Sequence, residues 1–419
     1  MNVIFLTMVR MEDISRRGIY TDLMRRFRSE GHDICIVTPR ERREGEPTSL
    51  IERDGLHILG VRTLNLQKTN VLEKGVGQVL VESQYKAAIK KHLGDVKFDL
   101  ILYSTPPITF PNVLSYLKKE NPQAKSYLLL KDIFPQNAVD IGMMPGDGFK
   151  FQVSSFKSWI GLVKYQLYKY FRRKEKKLYA LSDFIGCMSP ANVEYVLRHN
   201  PEVSADKVEV APNSVELNLD NNLDLDKKGV REKYGLPVDK PVFIYGGNLG
   251  KPQGIPFLIE CLEANANRED CYFMVIGTGT ELPRLMAWYD EKKPKSVKVM
   301  KGLPKAEYDE LVRTCDVGLI FLDHRFTIPN YPSRLLSYLE NKMPVLCATD
   351  PNTDMGRIAE ENGYGYWCES NSVEAFTRIL DKMIHSDRKA MGEKGYQFLK
   401  ENYLVEHTYS AIMKHFDEK

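Results

Sequence analysis

The sequence predicts an α/β protein made of two doubly wound units, and three observations carry that prediction. Apolar runs of strand length alternate with helical patterns through almost all of the 419 residues, which is the mark of parallel α/β construction. The alternation restarts, with one series ending near Met188 and a second beginning at Val242. Between them Asn218, Asp220, Asn221 and Asn222 interrupt the pattern. A chain of this length has room for two full cores.

In the first series the strands fall at Val3–Thr7, Asp33–Val37, His57–Val61, Leu100–Tyr103, Ser126–Leu130 and Phe184–Met188. Helical periodicity fits Gly18–Glu30, Val76–Leu93, Val113–Glu120 and a long stretch, Phe156–Leu181. The second series has strands at Val242–Tyr245, Tyr272–Ile276, Val297–Met300, Val317–Phe321 and Val345–Cys347, with helices between. The boundary belongs between Pro212 and Lys240, giving domains of residues 1–212 and 213–395. The final helical stretch, Arg388–His415, is long enough to leave the second domain, so residues 396–419 are expected to pack on the first. Open α/β sheets bind ligands beyond the carboxyl ends of their strands, and two facing units would place their loops on either side of a central cleft.

Composition narrows the class. A net charge of +3 argues against general nucleic-acid binding. No run approaches the roughly 18–20 uncharged apolar residues that span a bilayer, and MNVIFLTMVR reads as a first strand rather than a signal peptide. The seven cysteines include no C-x-x-C pair and lie mostly in apolar segments, as reduced core residues of a cytoplasmic protein would.

The run PVFIYGGNLGKPQGI, Pro241 to Ile255, carries the most chemistry. A buried strand ends at Tyr245, and Gly246, Gly247 and Gly250 let the backbone turn and approach a ligand, with a helix opening from Gln253. A helix end gives an anion only about 0.3–1 kcal/mol, so a phosphate needs cations or converging donors as well. The same glycines also suit a turn with no ligand. VIGTGTE repeats this strand-turn-helix pattern with Gly277 and Gly279.

With these motifs in order, the chain resembles family-4 retaining glycosyltransferases of the GT-B fold, particularly bacterial enzymes that add sugars to lipid-linked surface-polysaccharide precursors. The resemblance covers nearly the whole chain: RRGIYTDLMRRFRSEGHDICIVTP, LKDIFPQNAVDIGM, GNLGKPQG, VIGTGTE, GLPKAEYDELVRTCDVGLI and YPSRLLSYLENKMPVLCATD. It implies two Rossmann-like domains facing a central cleft, with the acceptor on the first and a UDP- or GDP-linked sugar on the second.

By this resemblance GNLGKPQG holds the donor diphosphate. Asn248 and Gln253 stand where many relatives have Arg and Lys, which leaves Lys251 and Arg334 as candidate cations. Ser333 precedes Arg334 at a helix start and can cap it or donate its hydroxyl. Ser337 stands where the family usually has a glutamate that accepts the ribose hydroxyls, and the earlier glutamate of that pattern falls at Pro329. Glu340, three residues beyond Ser337, is the candidate replacement. The loop with Lys301, Gly302 and Leu303 would hold the nucleobase, and FLDHRFTIPNY would face the sugar through Asp323, His324 and Arg325. One histidine beside one aspartate is no metal site, and the family generally needs neither metal nor cofactor.

On the acceptor side Lys131 and Asp132 end a strand where many relatives carry a histidine-containing motif, and Asp132 is the candidate acceptor contact or base. Arg16 and Arg17, ahead of the Gly18 helix start, can meet phosphate of either substrate. The segment Phe149–Lys177 sets nine basic residues against one acid, Glu175, with aromatics recurring among them at Phe156, Trp159, Tyr165, Tyr168, Tyr170 and Phe171. Such a stretch fits the inner face of an anionic membrane, as a peripheral contact of about 1 kcal/mol per basic residue. The expectation is thus a membrane-peripheral transferase moving a sugar to a lipid-linked glycan. A nucleotide-sugar 2-epimerase on the same fold, or a non-catalytic relative that binds a partner or glycan, stays open beside it.

Overall fold

A computed structural model describes residues 1–53, 55–66, 71–148, 156–217 and 225–416, with the side chains of 71–75 and 156–159 also outside the description. Asn218 and Asp220–Asn222, in the expected boundary, and residues 149–155 of the basic segment therefore lie outside it. The chain divides into two compact units, Met1–Glu216 with Val405–Lys419, and Leu217–Leu404.

The first unit is built on a sheet of order β3-β4-β2-β1-β5-β6-β7-β8. Its strands are β1 (Asn2–Leu6), β2 (Asp33–Glu41), β3 (Ser49–Arg53), β4 (Leu56–Thr63), β5 (Leu100–Ser104), β6 (Lys125–Leu130), β7 (Phe184–Cys187) and β8 (Val208–Val210). All pair in parallel except β3, which lies antiparallel on β4. The central parallel strands carry continuous apolar runs (IFL, ICIV, LILY) because both faces are covered there. The connecting helices are α1 (Ile19–Ser29), α2 (Val71–His92), α3 (Pro111–Glu120), α4 (Gln136–Asp140), α5 (Phe156–Leu181) and α6 (Pro190–His199). α1 lays Leu23, Met24 and Phe27 on Val3, Phe5, Ile34 and Ile36.

The second unit has α7 (Lys227–Lys233), β9 (Val242–Asn248), α8 (Ile255–Ala264), β10 (Tyr272–Thr278), α9 (Leu282–Lys292), β11 (Val297–Lys301) and α10 (Lys305–Val312). It continues with β12 (Val317–Phe321), α11 (Arg334–Glu340), β13 (Val345–Thr349), α12 (Met355–Glu361), β14 (Gly365–Glu369), α13 (Val373–Ile384) and α14 (Arg388–Asn402). Its all-parallel sheet has the order β11-β10-β9-β12-β13-β14. The order reverses between β9 and β12, and in the first unit between β1 and β5. Those switch points open a crevice at the carboxyl ends of the strands.

Several details differ from the sequence reading. The short strands β3, β8 and β14 were not expected, because SLIER and VEV carry charges and GYWCE mixes small, aromatic and acidic residues. The stretch Arg388–His415 is two helices rather than one, broken at Tyr403–Leu404. α14 packs on α11, whereas α15 (Val405–Met413) packs on α1 in the first unit. There the Val405 N–H donates to Val215 O at 3.1 Å. Thr408 donates to Pro212 O at 3.0 Å, and Tyr409 meets the Phe27 ring at 4.9 Å. All seven cysteines are buried and unpaired.

Candidate functional site

In the second unit the carboxyl ends of β9 and β10 and the starts of α10 and α11 enclose a cavity of about 650 Å3. It gathers Gly246, Gly247, Asn248, Gln253, Gly277, Gly302, Leu303, Ser333, Arg334 and Ser337 from the sequence candidates, and adds Lys305, Tyr308 and Asp309. Gly250, Lys251, Gly279 and Glu340 are not among its lining residues.

The loop geometry follows from the glycines. Gly247 takes φ 111°, which L side chains rarely adopt. A Cβ on Gly277 would lie 1.9 Å from Gly247 O, so the turns after β9 and β10 can close on each other only without a side chain there. The helix expected from Gln253 begins instead at Ile255, after a short 3-10 turn at Lys251–Gln253 and a left-handed Gly254. Gln253 Oε1 accepts from Asn248 Nδ2 at 3.0 Å and from the Gly250 N–H at 3.3 Å. The two amides thus brace the loop, and Lys251 points to solvent.

Arg334 is the cation that the cavity contains beside Lys305. Its guanidinium lies 4.2 Å from the centre of the Tyr245 ring, and Nη2 reaches Asn248 O at 3.5 Å. Nη1 is buried with no hydrogen-bond partner among the described residues. A desolvated, unpaired guanidinium N–H is costly, and an anion in the cavity would complete it. The neighbouring Lys305 is engaged with Asp309 at 2.7 Å. In the loop after β12, Arg325 grips Asp323 through two bonds of 2.8 and 2.6 Å. Asp323, His324 and Arg325 do not line the cavity.

In the first unit the candidates separate. Arg16, Arg17 and Gly18 line a cavity of about 450 Å3 with Arg10, Glu12, Asp13 and Tyr20 after β1. Arg17 donates to Glu216 O, and Arg16 is exposed. Lys131 and Asp132, adjacent at the end of β6, go separate ways. Lys131 Nζ donates to Ala211 O at 3.0 Å beside β8, and burial pulls its ammonium down to about 7. Asp132 accepts from Asn137 Nδ2 of α4 at 2.6 Å, and burial pushes its carboxyl up to about 6. Thr105 Oγ1 receives the backbone N–H groups of both residues, at 3.0 and 3.2 Å. Asn137 and Tyr308 were missed in the sequence, where an amide in a short turn and an aromatic at helical spacing carry no signal of a site. Among the described residues no three His, Cys, Asp or Glu gather as metal ligands, and no helix is long and apolar enough to cross a membrane.

Comparison with known proteins agrees with this architecture. Residues 226–398 match the family described as "Glycosyl transferases group 1". The probable glycosyltransferase WbjE of Pseudomonas aeruginosa is 23% identical over 352 residues, covering 80% of this chain and 78% of WbjE. The putative colanic acid biosynthesis glycosyl transferase WcaI of Escherichia coli K12 is 26% identical over 178 residues, 41% of this chain and 43% of WcaI. Sucrose-phosphate synthase from Thermosynechococcus elongatus superposes with a TM-score of 0.72 at 14% identity, over 99% of this chain and 98% of that one. HepE of Anabaena, solved in complex with UDP and glucose, superposes with a TM-score of 0.68 at 12% identity, over 100% of both chains. The chain is therefore a glycosyltransferase of the GT-B fold, with a group 1 glycosyltransferase domain in its second unit.

Proposed function

We propose that this transferase moves a sugar, with retention of anomeric configuration, from a nucleotide sugar to a lipid-linked glycan acceptor in bacterial surface-polysaccharide synthesis. The observation that carries the donor half is Arg334, whose buried Nη1 lacks a partner beside a glycine loop open to a cavity. A diphosphate oxygen satisfies that donor, and the guanidinium steadies the charge that grows as the nucleoside diphosphate leaves. Backbone groups of the loop do the remaining work, so the reading needs no metal or cofactor. The crystallised complex of HepE with UDP and glucose supports a UDP-type donor, and the name of WcaI supports a polysaccharide product.

For the acceptor, Asp132 is the base or hydroxyl contact in this reading, since a carboxyl poised near 6 is ionised at neutral pH yet able to take a proton. The lipid would lie at the cytoplasmic membrane face, and α2 and α5 support that placement. Val76, Val79 and Leu80 on α2 and Ile160 and Val163 on α5 are exposed, Val163 by 66%. Lys164, Lys169, Arg173, Lys176 and Lys177 follow on α5. The decisive experiment is heat denaturation with a panel of nucleoside diphosphates, followed by transfer from the matching sugar nucleotide to a lipid-linked acceptor. Selective stabilisation by one nucleotide and a glycosylated lipid are expected. An epimerised nucleotide sugar as product, or no stabilisation by any nucleotide, would sink the reading.

A further inference from the structure

Tyr308 enters the cavity from α10 and faces the strand end that carries the glycine loop. A Cβ built on Gly246 would lie 1.8 Å from the Tyr308 hydroxyl, so this phenol occupies the space that any other residue at 246 would fill. Gly246 is fixed from its other side, where its N–H donates to the Tyr338 hydroxyl at 3.2 Å. The Tyr308 hydroxyl itself has no hydrogen-bond partner among the described residues, although it lines the cavity. The side-chain hydroxyl of Ser337 lines the same cavity and is likewise unpaired among them.

A ribose offers two adjacent hydroxyls, and a carboxylate meets them by accepting twice. Ser337 is too short and too weak an acceptor to do this alone, and Glu340 lies outside the cavity. A phenol and an alcohol together present equivalent capacity, each accepting one bond and donating another. Burial holds the Tyr308 phenol well above its usual range, so it remains a donor at every working pH. Leaving out the carboxylate also keeps negative charge away from Arg334 and the diphosphate, since the Asp309 carboxylate in the lining is already paired with Lys305.

We propose that Tyr308 and Ser337 together hold the ribose hydroxyls of the donor nucleotide, doing with two neutral hydroxyls what a glutamate does elsewhere. This rests on the reading of the cavity as the nucleotide site. Gly246 is then required to make room for the phenol.

The test is calorimetric titration of UDP, GDP and their 2′,3′-dideoxy analogues into the full chain and its Tyr308→Phe and Ser337→Ala variants. Loss of one neutral hydrogen bond predicts that Tyr308→Phe binds the ribose-bearing nucleotide about 5–10-fold more weakly and the dideoxy analogue as well as the wild type does. Ser337→Ala should behave alike, and Gly246→Ala should weaken the ribonucleotide by displacing the phenol. Equal weakening of both nucleotides, or none, overturns the inference while leaving the nucleotide site in place. Absence of binding to the wild-type chain overturns the nucleotide reading, and the inference with it.

Discussion

The Asn137 amide donates to Asp132 at 2.6 Å while its own Oδ1 stays buried and unpaired among the described residues, so the two side chains form a pair that favours the ionised carboxylate and leaves one acceptor unsatisfied there. The reverse orientation of the amide would set oxygen against oxygen. Burial opposes this bond and a second from the Ile133 backbone N–H at Asp132, and burial wins, since the carboxyl is raised.

That balance has a thermodynamic sign. A carboxyl near 6 in the folded chain and near 3.9 in the unfolded one binds more protons when folded, so its contribution is full below about pH 4 and is lost as pH rises through about 6. Asp132→Asn should therefore be more stable than wild type above pH 6, by up to about 3 kcal/mol, and show no advantage near pH 4. If Asp132 is the base, the same variant loses transfer by at least about 100-fold. Thermal melts across pH and a transfer assay check both.

Lys131 runs the other way in pH. Its ammonium titrates near 7 when folded and near 10.4 when unfolded, so its neutral form adds stability that is full above about pH 10 and lost as pH falls through 7. Lys131→Met should flatten that dependence. It should be more stable than wild type at pH 6, less the roughly 1 kcal/mol of the bond to Ala211 O.

Arg334→Ala should weaken nucleoside diphosphate binding by one to two decades, the worth of about 1.5–3 kcal/mol in a charge-assisted bond. Arg334→Lys should recover part of it, because an ammonium cannot stack flat on the Tyr245 ring 4.2 Å away. Calorimetry with the nucleotide identified by heat denaturation measures both.

Glu82 and Lys174 form a buried pair at 2.5 Å between α2 and α5, with Asn112 of α3 donating through both its backbone and its amide to the same carboxylate. Glu82→Leu should cost about 3–5 kcal/mol by stranding the Lys174 ammonium together with both Asn112 donors, whereas Glu82→Leu with Lys174→Leu should recover the part due to the ammonium and keep a loss of about 1–3 kcal/mol from the unpaired Asn112 groups. Denaturant unfolding of the two variants separates them.

Ile160→Glu with Val163→Glu should cut binding to vesicles containing anionic lipid by tenfold or more, and salt should weaken what remains. Both side chains are exposed, so folding should be unaffected. Cosedimentation reports the loss, and retention of binding would remove the membrane contact from the reading.

The cavity after β9 was legible in the sequence because backbone closeness needs glycine, and a strand running into GGN leaves a mark that does not depend on packing. Glycine at 246 gave only half of its own reason, since the phenol it accommodates comes from α10, some sixty positions away in a pattern that reads as ordinary helix. Glu340 shows the limit of helical spacing. Three positions bring a side chain to about the same face, but the short α11 turns that face out of the cavity one turn after Ser337. Lys131 and Asp132 could have been separated from sequence, because neighbours in an extended strand point to opposite sides. The strands β3, β8 and β14 are held by their neighbours' hydrogen bonds rather than by apolar runs, and no local pattern announces them.

The first unit takes α15 from beyond the second, and this sets an order of events during synthesis. A ribosome delivers every strand of the first sheet early, yet the helix that covers Phe27 arrives only after all of the second unit has been made. Until then the nascent unit carries an uncovered apolar seam, where a chaperone can dwell and where neighbouring chains can adhere. Stalling or cleavage upstream of Val405 would thus damage the unit made first.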